Sequence, residues 1–426
     1  MKTAWRLTVL AWLLCLAACT TLPSSPPHDA GTPRSLLLVS LDGVHPGDLG
    51  RGDTPRIDRL AREGVRAQWM APSYPALTFP NHYTIVTGLR PDRHGIVHNT
   101  MRDPALGQFT LKLRDAVGDG RWWGGEPLWV TAERAGLPTA TLFWPGSEAP
   151  VQGVRPRRWH LFDARMPITA RVATVAAWLA EPATTRPRLA TLYFEHPDDA
   201  AHAHGPGSPQ LRAALREVDA AIGWLLDELE RGGAAARTDI VIVSDHGMAE
   251  VPPGQVVATE DMVDPGDAVV VSHGQVVGFD PLPGREAAAE GQLLGRHRHH
   301  ACWRRHELPA RWRYGQHPRV PPIVCQMDAG WDAAPRARLA QRAPGTRGSH
   351  GYDPAEPAMR AIFIASGPSF RRGLVLAPFE NVDVYPLLAR LLGLAPAAHE
   401  GDPATLLPAL RAPVAGAGPQ PAVPAH

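Results

Sequence analysis

Five apolar runs of strand length punctuate the chain: Ser35–Leu41 (SLLLVSL), Thr139–Trp144, Leu189–Phe194, Asp239–Ser244 and Ala361–Ser366. The runs are continuous rather than alternating, which suits strands buried on both faces. Between them the apolar period changes to steps of three and four. Thr54-Pro55 reads as an N-cap followed by Pro at the first helical position; Ile57, Leu60 and Ala61 share a face, and Gly64 ends the helix. A longer helix is predicted from about Pro209 to Glu230, where Leu211, Leu215, Val218, Ile222, Leu225 and Leu229 form one stripe. Strands alternating with helices predict an α/β domain over residues 35–411, with a mostly parallel central sheet and helices on both faces. The stretch 274–347 is rich in Pro, Arg and His and reads as an irregular inserted lobe. Residues 412–426 read as a disordered Pro/Ala-rich tail.

The first residues follow a different logic. Lys2 and Arg6 precede an apolar stretch from Leu7 to Ala18, the layout of an export signal and too short for a membrane-spanning helix. The stretch ends Leu16-Ala17-Ala18-Cys19, which resembles a bacterial lipoprotein box. Residues 1–19 are therefore expected to be a signal peptide with a lipidated Cys19, and 20–34 a Pro/Ser tether. An ordinary signal peptide cut nearby is the alternative. Thr20, in place of an Asp after Cys19, points to the periplasmic side of the outer membrane. With Cys15 removed and Cys19 acylated, Cys302 and Cys325 remain. In an oxidising compartment they are expected to form a disulfide, with two separate buried thiols as the alternative.

Composition narrows the chemistry. The chain has 426 residues, 43 Lys+Arg against 42 Asp+Glu, and a net charge of +1, so no broad basic footprint for nucleic acid exists. Hydrophobic residues at 44% suffice for a large core. Lysine occurs only as Lys2 and Lys112, which argues against Schiff-base chemistry and a phosphate-binding P-loop. Acidic residues follow three of the strand-like runs at once, as Leu41-Asp42-Gly43, Glu195-His196-Pro197-Asp198 and Ser244-Asp245-His246-Gly247. Ligands of parallel sheets collect beyond the carboxyl ends of the strands. With His202 and the cluster Gly348-Ser349-His350-Gly351, these give three Asp and three His, the mixed donors zinc takes. The donor count exceeds one four-coordinate ion, so two neighbouring ions fit better. The segment Pro75-Ala76-Leu77-Thr78-Phe79-Pro80-Asn81-His82-Tyr83 holds a threonine between prolines ahead of a helical run. Thr78 is either a plain helix cap or a hydroxyl activated by a metal and backed by a helix N-terminus. His82, His94 and His98 read as supporting or structural histidines, and Arg296–His300 as a solvated basic loop, with metal binding as its alternative.

These motifs, together with Thr87-Gly88-Leu89, His94-Gly95-Ile96-Val97-His98-Asn99 and Trp122-Trp123-Gly124-Gly125-Glu126-Pro127, resemble a bacterial nucleotide pyrophosphatase/phosphodiesterase of the alkaline phosphatase superfamily. The resemblance runs from about Ser35 to Leu394 and implies an alkaline-phosphatase-like fold. It implies two zinc ions, one held by Asp198, His202 and His350, the other by Asp42, Asp245, His246 and the Thr78 oxygen. It further implies Thr78 as nucleophile through a phosphothreonine intermediate, and Asn99 as donor to a non-bridging phosphoryl oxygen. A neutral Asn99 suits a diester, where a monoesterase would need a cation. Phe79 and Tyr193 are expected to flank a nucleobase, with packing in the core as their alternative.

The expected reaction is hydrolysis of nucleotide phosphodiester or pyrophosphate bonds to nucleoside 5′-monophosphates by an exported, lipid-anchored enzyme. A glycerophosphodiesterase or lysophospholipase C acting on lipid head groups shares the whole metal set. A sulfatase is disfavoured, because the nucleophile position reads Thr78-Phe79-Pro80-Asn81 and not a Cys/Ser-x-Pro-x-Arg motif. A non-catalytic metal-binding lipoprotein would lack a ligand or the nucleophile, and none is missing.

Overall fold

The computed structural model describes residues 34–411 apart from residue 343. The expected signal peptide, Cys19, the tether as far as Pro33 and the tail 412–426 lie outside the described residues.

Eight strands form the central sheet: β1 (Ser35–Leu41), β2 (Val65–Ala67), β3 (Thr139–Leu142), β4 (Arg158–Trp159), β5 (Leu189–Phe194), β6 (Thr238–Val243), β7 (Phe363–Ser366) and β8 (Leu374–Leu376). Their order is β8-β2-β7-β6-β1-β5-β3-β4. All neighbours are parallel except β7, which runs antiparallel to both β6 and β2. The sheet is thus mixed but mostly parallel.

Strand residues alternate between two cores, as a pleat of period two requires. Leu36 and Leu38 of β1, Val241 and Val243 of β6, and Phe363 and Ala365 of β7 enter one core. There they join helix α2 (Thr78–Thr87) and a C-terminal helix, Val384–Leu392. Leu37, Val39 and Leu41, with Ile240, Ile242 and Ile364, enter the other. That face is covered by α1 (Pro55–Glu63), α3 (Ile168–Ala180) and α5 (Pro209–Arg231). Apolar burial on both faces explains why the strand runs are continuous in sequence.

Helix ends follow the sequence with one correction. Thr54 occupies the N-cap position of α1 but makes no capping bond. Instead, buried Asp219 of α5 accepts the backbone N–H groups of Arg56 (2.9 Å) and Ile57 (2.8 Å). Helix α5 is capped conventionally, with Ser208 Oγ accepting Leu211 N–H at 3.1 Å.

The expected irregular lobe is instead ordered sheet. Ala268–Ser272, Val276–Pro281, Ile323–Met327, His300–Arg304 and Gly295–Arg296 make five antiparallel strands in that order, starting ahead of residue 274. Cys302 and Cys325 lie opposite each other on neighbouring strands and are joined by a disulfide. Arg296–His300 spans the hairpin turn between the last two of these strands, with Arg296 and Arg298 exposed. Arg296 pairs with Asp328, His297 stacks on His300, and His299 stacks on Trp331.

Because Asp219 satisfies two N–H groups of α1 from another helix, Asp219→Ala should cost about 1–3 kcal/mol of stability. Chemical denaturation checks this; an unchanged midpoint would show that water replaces the carboxylate.

Candidate active site

The site lies where β6, β1 and β5, three adjacent parallel strands, end. Asp42 follows β1, and its N–H donates to Phe194 O at 3.0 Å. Asp198 and His202 sit four residues apart on α4 (His196–His204), which starts where β5 stops. Asp245 and His246 follow β6. His350 follows the short strand Arg347–Ser349, which pairs with Ala249–Val251 just beyond His246. Thr78 is the first residue of α2, with Leu77 at the N-cap, so its side chain is not spent on capping.

Gly43 makes the turn after Asp42 possible. Its φ is +70°, and a Cβ there would stand 2.9 Å from Asp198 Oδ1. Only glycine adopts that conformation without strain and leaves Asp198 its place.

The three expected histidine ligands are oriented alike. His202 Nδ1 lies 2.9 Å from Gly348 O, His246 Nδ1 3.0 Å from Gly247 O, and His350 Nδ1 3.0 Å from Ala76 O. Each Nδ1–H donates to a backbone carbonyl, which leaves the Nε2 lone pair facing the carboxylates. His202 Nε2 is 3.4 Å from Asp198 Oδ2 and His350 Nε2 is 3.7 Å from Asp198 Oδ1. His246 Nε2 is 2.8 Å from Asp245 Oδ2, 3.7 Å from Asp42 Oδ1 and 3.3 Å from Thr78 Oγ1.

Around Asp198 and Asp42 these atoms are acceptors facing acceptors in a buried place. Asp42 Oδ1, Asp198 Oδ1 and Asp245 Oδ2 are buried without a hydrogen-bond partner. Burial pushes the Asp42 carboxyl well above its usual range, and the Asp245 and Asp198 charges push it further. Burial raises Asp198 as well. Burial also pushes Asp245 up, but His246 and His82 outweigh it and hold Asp245 well below its ordinary value. His246 is lowered by burial and raised by Asp245, with a net rise. His350 falls well below its ordinary value through burial and the neighbouring His246 and His202. Divalent cations answer all of these demands together, and this donor set fits them.

Asp198, His202 and His350 bring ligand atoms within 4.8 Å of one another, as do Asp42, Asp198 and His246. Asp42 and Asp245 form a third such group with His82, so Asp198 and Asp42 each bridge neighbouring groups. His82 Nε2 lies 2.7 Å from Ser40 Oγ, and its Nδ1 lies 2.9 Å from Thr78 O and 3.3 Å from Asp245 Oδ2. His94 and His98 are buried, and desolvation pushes both down to about 3, so they are neutral packing groups.

Asn99 Oδ1 accepts the Phe79 N–H at 3.0 Å beside Thr78. Its Nδ2 has no partner among the described residues. A pocket of about 380 Å³ opens at Thr78, walled by Phe79, Phe143, Trp144, Phe162 and Tyr193. Tyr193 needs a correction. It is only 7% exposed, its ring packs edge-on to His82 and Phe162, and its hydroxyl donates to Asp42 Oδ2 at 2.5 Å. It orients a carboxylate rather than offering a free face. The most exposed ring lining the pocket is Phe162, at 37% exposure. Phe162 lies in a segment without regular structure, and no periodicity marks it.

The type I phosphodiesterase / nucleotide pyrophosphatase family pattern matches residues 36–353. Human ectonucleotide pyrophosphatase/phosphodiesterase family member 7 is 35% identical over 417 residues, covering 94% of this chain and 89% of that protein. An uncharacterized pyrophosphatase/phosphodiesterase of Schizosaccharomyces pombe is 34% identical over 396 residues, covering 88% and 80%. Among solved structures, an inactive variant of murine ectonucleotide pyrophosphatase/phosphodiesterase 5 in complex with AMP superposes with a TM-score of 0.84 at 30% identity, covering 89% of this chain and 100% of that one. These relatives are eukaryotic.

Gly43→Ala should displace Asp198 and weaken metal binding at least about tenfold, with a similar fall in kcat/KM. Metal titration and steady-state kinetics check this; wild-type affinity would show that Asp198 accommodates the added Cβ.

Proposed function

The chain belongs to the type I phosphodiesterase/nucleotide pyrophosphatase family, a family of hydrolases, and from that premise we propose that it is a two-zinc enzyme releasing nucleoside 5′-monophosphates through a phosphothreonine intermediate. The observation that carries this reading is the position of Thr78 Oγ1, 3.3 Å from His246 Nε2 and beside three buried carboxylates, at the mouth of an aromatic pocket. Asp198, His202 and His350 would hold one ion; Asp42, Asp245, His246 and the Thr78 oxygen would hold the other. When bound, the two ions supply positive charge that lowers the Thr78 pKa and neutralises charge developing on the phosphoryl group.

The chain's own residues do the rest. Thr78 Oγ1 forms a bond to phosphorus as the bond to the leaving oxygen breaks. Water then cleaves the phosphothreonine and restores the hydroxyl. Asn99 Nδ2 donates to a non-bridging oxygen, held by the bond between Asn99 Oδ1 and Phe79 N–H. The N-terminus of α2 favours the phosphoryl charge. Tyr193 fixes Asp42 by occupying one of its oxygens. Phe79 and Phe162 flank the base, and the likeness to a relative in complex with AMP supports a pocket for a nucleoside monophosphate. The leader and lipobox pattern supports a bacterial protein exported to the periplasm and anchored through Cys19, facing inward from the outer membrane.

Thr78→Ala should lower kcat by about three orders of magnitude or more while zinc content stays near two ions per chain. Activity within about tenfold of wild type would remove Thr78 from the nucleophile role. Phe162→Ala should cost nucleotides about 1–3 kcal/mol in kcat/KM and spare bis-p-nitrophenyl phosphate, whereas Tyr193→Phe should lower both through Asp42. Equal losses for Phe162→Ala on the two substrates would end its role at the base.

A further inference from the structure

Apolar surface gathers at the mouth of the catalytic pocket. Seven large hydrophobic side chains are exposed among the described residues, and four of them stand on two short segments there: Leu111 (36%), Leu113 (43%), Leu161 (62%) and Phe162 (37%). Leu111, Lys112 and Arg114 from one segment, and Phe162 and Ala164 from the other, line the pocket. Glu148 ties the segments together, accepting Arg114 on one oxygen and the Phe162 N–H at 2.8 Å on the other. The rim is therefore a built feature and not two stray loops. Between the leucines stands Lys112, exposed and without a hydrogen bond or ion pair among the described residues, the single lysine of that part of the chain.

Exposed apolar groups clustered around a site mark an interaction surface. Soluble nucleotides do not require leucines outside the pocket. A cation interleaved with leucines matches a surface that is apolar beneath an anionic face. We propose that this rim docks on the surface of an anionic phospholipid bilayer. Leu111, Leu113 and Leu161 enter the acyl boundary and Lys112 meets lipid phosphates. Resting on the phosphodiesterase reading above, docking would bring phosphodiesters held in a membrane to Thr78.

The test uses the chain from Thr20 onward without an acyl group, which keeps residues 34–411 whole. It should co-sediment with phosphatidylglycerol vesicles and much less with phosphatidylcholine vesicles. Leu113→Ser with Leu161→Ser, at residues outside the pocket lining, should weaken that binding at least about tenfold and leave bis-p-nitrophenyl phosphate hydrolysis unchanged. Lys112→Gln should weaken it about fivefold, an effect lost at high salt. Absence of vesicle binding by the wild type would overturn the proposal and leave the patch to a protein partner. Undiminished binding by the double variant would overturn it too. Loss of all diester hydrolysis by the wild type would strike the enzymatic reading while leaving vesicle binding to stand or fall separately.

Discussion

Three carboxylates buried at the ends of three adjacent strands impose the constraint that organises this molecule. Asp42, Asp198 and Asp245 are taken from water, and each presents an oxygen without a hydrogen-bond partner. His246 and His82 hold Asp245 well below its ordinary value, but no side chain satisfies the free oxygens of Asp42 and Asp198. The arrangement makes sense only around concentrated positive charge. The glycine that lets Asp198 approach Asp42, the tyrosine that fixes Asp42 and the threonine at the start of α2 all answer to that condition. Catalysis in this reading is a use of a charge deficit that the fold creates.

Much of this was legible in the sequence because chemistry and periodicity were both strong. The run Ser35–Leu41 became a strand with those bounds, and each acidic residue that follows a central strand falls at the site. The helix 209–230 was legible because its stripe, from Leu211 to Leu229, spans about five turns. The lobe was not legible, because its strands are two to six residues long and the pairing that joins its two halves, Val276–Pro281 with Ile323–Met327, links segments far apart along the chain. A period of two cannot register in such short segments. The assignment of Tyr193 to a base failed for another reason. Position on a strand next to ligands says which residues meet, but not which atom of a tyrosine is used. Here its hydroxyl, directed at Asp42, decides the role. Phe162 lies outside every regular element, where no pattern could announce it.

Reaction and selectivity occupy separate parts of the molecule. The side chains proposed to hold metal come from strand ends, α4 and the start of α2. The pocket walls beyond Thr78 come largely from segments 111–117, 143–148 and 162–164. Changes in those loops can alter which diester is accepted without disturbing the ion ligands, so a shared ligand set says little about substrate.

The three histidines proposed as ligands are each aimed by a backbone carbonyl, from Ala76, Gly247 and Gly348. A carbonyl cannot be deleted by substitution, so imidazole orientation is insulated from drift in the surrounding side chains. What limits positions 247 and 348 is room: a Cβ would stand 2.3 Å from Ala358 O at the first and 2.4 Å from Ala201 O at the second. Mutational sensitivity there would report crowding of the main chain rather than a lost chemical group. A scan for side chains that support the ligands would pass over these contacts, because their acceptors belong to the peptide chain itself.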